Sequence, residues 1–403
     1  MKPEFFINNR QRLCELTKSK LLIISANSTL QRNSDVTYPF RQDSNFWYAT
    51  GLDEPDVLLV INNGEEYLIM PQRSNVQNIM DGLIDHKKMV KKSGITDVLD
   101  WAKGWEKLSN QVKASKKVAI LEPPKPYVEI YGFYTNPARQ VLKDKVESLG
   151  QFEFEDLRPL FSGLRVIKQP LELKMIQQAI DISIESLNDV LKEVHQFNHE
   201  YQIEAALTEG IRSRGATGHA FPPIVAGGKN ATTIHHFANN SKLESGALVL
   251  VDFGAEVENY AADIARTFSL GSPSKRQLDV MHAVREVQEF AFSILKPGLS
   301  FRDYELAVEK KMGNVLRALG MIKSETREQI RRCFPHAVSH FLGLDTHDTG
   351  DRYESTFEPN MVIAVEPSIL IVEEGIGVRI EDNVVITKTG IKNLSVNLPS
   401  ISK

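Results

Sequence analysis

Two aspartates interrupt otherwise apolar stretches, Asp252 in LVLVDF and Asp263 in YAADIARTF. Residues 248–268 read as two strands joined by a tight turn. Val249, Val251 and Phe253 line one face of the first strand and Leu248 and Leu250 the other, so Asp252 sits in a run buried on both sides. An isolated buried carboxylate costs several kcal/mol unless something positive meets it. With the turn near Val257 and Glu258, Asp252 is expected directly across from Asp263, with Cβ atoms roughly 5 Å apart. Two carboxylates that close cannot both stay ionised without a shared cation, and a metal ion is the simplest one.

The pattern recurs near the C-terminus. MVIAVEP and GVRIEDNVVIT read as strands joined through Glu373, Glu374 and Gly375. A hairpin symmetric about Glu373 and Glu374 places Glu366 opposite Glu381, each a lone acid in an apolar strand. Four such carboxylates carry the charge that two divalent cations neutralise. One histidine would complete the shell, and His340 in FPHAVSHFLGLDTHD is the best candidate. Oxygen-rich, nitrogen-poor coordination favours manganese, cobalt, ferrous iron or magnesium over structural zinc. Paired metals about 3.5–4 Å apart deprotonate a shared water at neutral pH and polarise a carbonyl, which is hydrolytic chemistry. His336 and His340 also have the i, i+4 spacing of a helical zinc motif, but Ala337 stands where that motif needs glutamate.

The elements that must position these groups follow from the chain's order. Residues 1–165 read as a smaller α/β unit, with strands at residues 21–26, 57–61, 66–70 and 117–121 and a helix over residues 96–107. Its aromatic segment YPFRQDSNFWYATG is expected to reach a surface or a neighbour, with Phe46, Trp47 and Tyr48 in core or subunit contacts rather than on substrate. From residue 166 to 403 the pattern is α+β. Pro170 opens a helix with apolar residues at Leu173, Ile176, Ile180, Ile184, Leu187 and Leu191. A second helix, a strand and the aspartate hairpin follow. Then helix, helix, strand and hairpin come again, with Ser300 and Asp303 marking a helix start. The order of elements suggests an internal duplication, although no residue-level repeat is visible.

Composition excludes several classes. The 403 residues are 42% hydrophobic and 25% charged, with a net charge of -4, which gives no electrostatic case for nucleic acid or an anionic membrane. Basic runs at residues 86–92 and 113–117 read as solvated lysine faces. Cys14 and Cys333 are too few for a disulfide framework and favour a reducing compartment. No signal-peptide core or membrane span is legible, and the expected location is the cytoplasm.

The stretches YPFRQDSNFWYATGLDEP, IVAGGKNATTIHHFANN, LVDFGAEVENYAADIARTF, HAVSHFLGLDTHD, MVIAVEPSILI and GIGVRIEDNVVIT resemble the metal-dependent Xaa-Pro aminopeptidases (aminopeptidase P). Those enzymes have the pita-bread fold shared with prolidase and methionine aminopeptidase. The resemblance implies an α/β N-terminal domain and an α+β pita-bread catalytic domain. It implies Asp252 as a chelating ligand of one metal, Asp263 and Glu381 as bridges, and His340 and Glu366 on the other, with Mn2+ the expected ion. It further implies that His235, seventeen positions before Asp252, bonds the substrate carbonyl as charge develops on oxygen. His347 would contact the scissile peptide group, and His336 would wall the pocket for the proline ring. Glu366 would also carry a proton to the leaving nitrogen. Arg379, on the strand face of Glu381, would orient or screen the carboxylates.

The expected reaction is metal-hydroxide attack that releases the N-terminal residue from peptides with proline second. The alternative is prolidase, which cleaves Xaa-Pro dipeptides with the same five ligands. A catalytically silent binding protein on this fold is less consistent with an intact ligand set. A metal-free creatine-hydrolase-like enzyme would not need the acid cluster. The family commonly associates, so a homodimer or homotetramer is expected. Some positions depart from the family pattern. Ser368 stands where glycine is usual, which predicts a backbone less free to turn after Glu366. Ala265 replaces a common threonine, His236 a common aromatic residue, and the segment between His340 and Glu366 is short.

Overall fold

Apolar runs of the N-terminal part form central strands of a six-stranded sheet, and Gln31–Asn33 and Val36–Thr37 pair separately as an exposed ribbon. The computed structural model describes residues 1–124, 131–352 and 354–399, and the chain divides into two compact units, Met1–Leu164 and Arg165–Lys403. In the first, six strands lie in the order Val98–Leu99, Glu65–Ile69, Leu58–Asn62, Leu21–Ser25, Lys117–Ile120 and Glu153–Asp156. The three central strands pair antiparallel and the outer ones join in parallel. Leu21–Ser25 is buried at every position, as a strand covered on both faces must be. Of the aromatic segment only the start reaches the surface, with Tyr38 54% exposed, whereas Phe46, Trp47 and Tyr48 are core as expected. Asp43 accepts hydrogen bonds from the N–H groups of Asn45 and Phe46, starting a helix over Ser44–Thr50. Every residue of that helix is buried; Trp47 packs edge-on against Phe6 and Tyr48 against Phe5.

In the second unit the helix Pro170–Glu193 begins as predicted. Pro170 occupies the first turn, and the Glu172 carboxylate returns to the Gln169 N–H at 2.9 Å. Helix Glu200–Ser213 and strand Ile224–Gly227 follow, then the first hairpin. After it come helices Lys275–Ile294 and Phe301–Ala318, a short helix Arg327–Cys333, strand Ser339–Phe341 and the second hairpin. Apart from the short helix and a two-residue strand, Gly218–His219, in the first half, the order of the main helices and strands repeats. The strand near His336 starts three residues later than expected, at Ser339.

Each hairpin changes sheet half-way along. The first pairs Leu248–Phe253 with Ile264–Ser269 beside Ile224–Gly227, then continues as Ala255–Val257 with Tyr260–Ala261 in a separate sheet. The second pairs Val362–Val365 with Asp382–Ile386, then Ser368–Ile371 with Ile376–Arg379 in another. Backbone at such breaks is freed from the ladder. Asp263 lies at the first break, and Glu366 and Glu381 lie at the second.

Candidate metal centre

Register decides which acids meet. In the second hairpin Val365 pairs with Asp382 and Ser368 with Arg379, the register that sets Glu366 against Glu381 as expected. The first hairpin corrects the expectation. Its turn is centred on Glu258 and Asn259, both at positive φ (48° and 63°), so Asp252 pairs with Ala265 rather than Asp263. Asp263 instead falls level with Gly254. A Cβ on Gly254 would come within 1.7 Å of the Ala262 carbonyl oxygen, so only glycine lets the chain fold over here. Ala265 also exchanges backbone hydrogen bonds with Glu381, which draws the two hairpins together. The small side chain therefore sits between Asp252 and Glu381, with no group to compete for either carboxylate.

The convergence is tight. His340 Nε2 lies 3.4 Å from Asp263 Oδ2, 3.7 Å from Glu366 Oε1 and 3.8 Å from Glu381 Oε1. Carboxylate oxygens of Asp252, Asp263 and Glu381 all fall within 4.8 Å of one another. His340 Nδ1 faces the Phe341 carbonyl at 3.1 Å, which places the proton on Nδ1 and leaves Nε2 free to ligate. Burial, and then the neighbouring acids, push the carboxyls of Asp263 and Glu381 well above their ordinary range. Burial also raises Asp252, although Arg379 Nη1 donates to Asp252 Oδ2. Burial opposes ionisation of Glu366 too, but His336, His340 and Arg379 outweigh it and hold that carboxyl low.

Asp252 Oδ1 and Glu381 Oε1 are buried without a hydrogen-bond partner among the described residues. Acceptors orphaned in a cluster of like charge fit a divalent cation, as does the donor set of four carboxylates and one imidazole. Two ligands each about 2.1 Å from one ion stand roughly 3 to 3.5 Å apart, close to the spacings here.

The remaining expected residues lie around this cluster. The ring of His347 meets that of His340 edge-on, with centroids 4.5 Å apart. Burial, together with the His340 charge, lowers the His347 pKa to about 4. Its loop is tied down by Asp348, whose N–H reaches the Phe341 carbonyl and whose carboxylate takes Arg165 and Lys168. His235 stacks on Phe237 and is near enough to His347 to influence its charge. Glu200 anchors that segment, accepting from the N–H groups of Gly227 and Ser241, from Asn230 and from His236. His236 thus turns to Glu200, outside the acid cluster. His336 Nδ1 lies 3.6 Å from Glu366 Oε2, and Arg379 Nε 4.0 Å from the same oxygen.

Sequence reasoning missed several supporting groups. Asn383 donates to the Asp263 carbonyl and accepts from the Asp263 N–H, clamping that ligand's backbone. Arg266 donates to the carbonyls of Ala265 and Glu381 and to the Asp382 carboxylate. The Thr267 hydroxyl joins the Arg379 backbone. All are polar residues buried inside apolar strands, the same signal that singled out the aspartates.

Comparison with known proteins agrees with this geometry. Residues 174–388 match metallopeptidase family M24, and residues 6–121 match the aminopeptidase P N-terminal domain. The chain belongs to metallopeptidase family M24. As a member of that family it is a metal-dependent hydrolase, with an aminopeptidase P-type N-terminal domain and a pita-bread catalytic domain. It is 30% identical to the Xaa-Pro aminopeptidase of Haemophilus influenzae, over 99% of this chain and 95% of that protein. The structure of aminopeptidase P from Escherichia coli superposes with a TM-score of 0.87 at 28% identity, covering 99% of this chain and 96% of that one. Proline aminopeptidase P II from Yersinia pestis gives 0.85 at 28% identity, covering 99% and 97%.

Proposed function

We propose that this M24 metallopeptidase is an Xaa-Pro aminopeptidase, removing the N-terminal residue from peptides with proline second. The observation that carries the reading is the meeting of Asp252, Asp263, His340, Glu366 and Glu381 in one buried cluster formed by two hairpins and strand Ser339–Phe341. These five residues would hold two divalent ions. When bound, such ions supply an activated water at neutral pH and polarise the peptide carbonyl. The oxygen-rich donor set favours Mn2+.

The chain's own groups do the rest. Arg379 holds Asp252 in place and lends positive charge to the carboxylates. Glu366, kept ionised by His336, His340 and Arg379, accepts a proton on its carboxylate and passes it to the leaving nitrogen. His347, neutral at physiological pH, donates a hydrogen bond to the scissile peptide group, and His235 binds its carbonyl oxygen. His336 walls the pocket beside the proline ring.

Cys14 and Cys333 are both unpaired, which accords with a cytoplasmic location. No described helix is long and apolar enough to cross a membrane. On helix Asn75–Asp81 and just beyond it, Val76, Ile79, Met80 and Leu83 are 67%, 80%, 69% and 81% exposed. These exposed apolar side chains support association into a homo-oligomer.

Metal removal and a substrate pair test the reading together. Chelator-treated protein should lose hydrolysis of an Xaa-Pro-Yaa tripeptide, and Mn2+ should restore it. Activity confined to the Xaa-Pro dipeptide would make the protein a prolidase, and hydrolysis untouched by chelation would end the metal reading.

A further inference from the structure

Ser368, three residues beyond the Val362–Val365 strand, bears a hydroxyl that reaches His336. Its Oγ lies 2.6 Å from His336 Nε2, and the residue is wholly buried. The other ring nitrogen, Nδ1, lies 2.8 Å from the Ala337 carbonyl. That oxygen can only accept, so Nδ1 carries a proton. Both nitrogens are therefore engaged by protein atoms, whichever way the Ser368 proton points. Phe334 packs edge-on against the ring, with centroids 4.9 Å apart, and fixes its tilt. The ring is nonetheless partly open, with 18% of its side-chain surface exposed beside Glu366.

The backbone offers no competing explanation for a serine here. Ser368 opens the strand Ser368–Ile371 paired with Arg379 and is not at positive φ, so the expected loss of turning freedom does not arise. What serine adds over glycine is the hydroxyl alone.

We propose that Ser368 is a positioning and specificity-determining residue. Its hydroxyl occupies His336 Nε2, so the imidazole offers the substrate carbon surface and no free hydrogen-bonding group. A wall of that kind favours a hydrocarbon ring such as that of proline over a residue with a polar side chain, which would find no partner there. The consequence for substrate rests on His336 lining the site, as proposed above; the hold on the ring does not.

Ser368→Ala removes only the hydroxyl, Ser368→Gly restores the residue expected from the family pattern, and Ser368→Thr keeps the hydroxyl. The ring 15N resonances of His336, identified with His336→Gln, are to be followed in protein loaded with diamagnetic Mg2+. Kinetics on an Xaa-Pro-Yaa tripeptide are measured alongside with Mn2+. The Nε2 resonance should move in the alanine and glycine variants and stay in place with threonine. KM should rise about fivefold, the worth of one hydrogen bond, with kcat within about twofold, and threonine should restore it. A merely structural loss would not follow the hydroxyl in this way. An Nε2 resonance unchanged in Ser368→Ala overturns the proposal. A moved resonance with unchanged KM establishes the hold on the ring and instead removes His336 from the substrate site.

Discussion

At the scale of single residues, burial is the force that gives each polar group its task. Asp263 and Glu381 have their ionisation opposed first by burial and then by neighbouring acids, Asp252 and Glu366 for the first and Asp263 foremost for the second, a charge cluster that a bound cation would relieve. His219 shows the same force acting away from the cluster. Its Nε2 meets the Thr208 hydroxyl at 2.9 Å, its Nδ1 has no partner among the described residues, and its ring packs beside Phe253. Burial lowers its pKa to about 4 from the ordinary 6.5. Because the folded value lies below the unfolded one, the stability it confers is full above pH 6.5 and is lost as pH falls towards 4. Allowing for partial exposure, the loss amounts to about 2 kcal/mol. His219→Gln should remove this component, so thermal midpoints of wild type and variant should converge or cross as pH falls from 7 to 4.5. A constant offset would refute it.

At the scale of elements, the decisive feature is a hairpin that leaves one sheet and enters another. Gly254 is where this happens in the first hairpin, because the Ala262 carbonyl occupies the space of a side chain. Gly254→Ala should force Asp252 and Asp263 apart. The expected result is a loss of at least tenfold in Mn2+ affinity by titration calorimetry, with destabilisation of about 3 kcal/mol or more. Retention of wild-type affinity would show that the register tolerates a side chain there. The apolar alternation marked both hairpins in the sequence, yet the two-residue error in the first arose because Glu258 and Asn259 take left-handed conformations that residue type alone did not announce. Alternation finds strands; turn geometry sets which residues face each other.

At the scale of the whole molecule, the first unit buries one set of apolar side chains and leaves another exposed. Phe46, Trp47 and Tyr48 are core, whereas Val76, Ile79, Met80 and Leu83 stand on the surface of the first unit. The double variant Ile79→Asp, Met80→Asp should shift the protein to a smaller species by size-exclusion chromatography with light scattering. The stability of the monomer should change by no more than about 0.5 kcal/mol, because exposed side chains lose little packing. An unchanged mass would remove this face from the interface.

Local sequence marked most of the elements read from it, the capped starts of the helices at Pro170 and Ser300, and the five acid and histidine candidates, because apolar periodicity and polar interruptions are properties of neighbouring residues; the helix read over residues 96–107 is instead a strand at Val98–Leu99 and a helix over Trp101–Ala114. Local sequence also placed Glu366 against Glu381 correctly. Only the tertiary structure decided that Asp263 stands level with Gly254, that Ala265 and Glu381 join the two hairpins, and that Asn383, Arg266 and Ser368 hold the surrounding groups. Apart from the Asp263–Gly254 register, those contacts link residues more than thirty and up to one hundred and twenty positions apart. Which of many buried polar groups meet at such separations is fixed by how the sheets pack, and no local pattern carries that information.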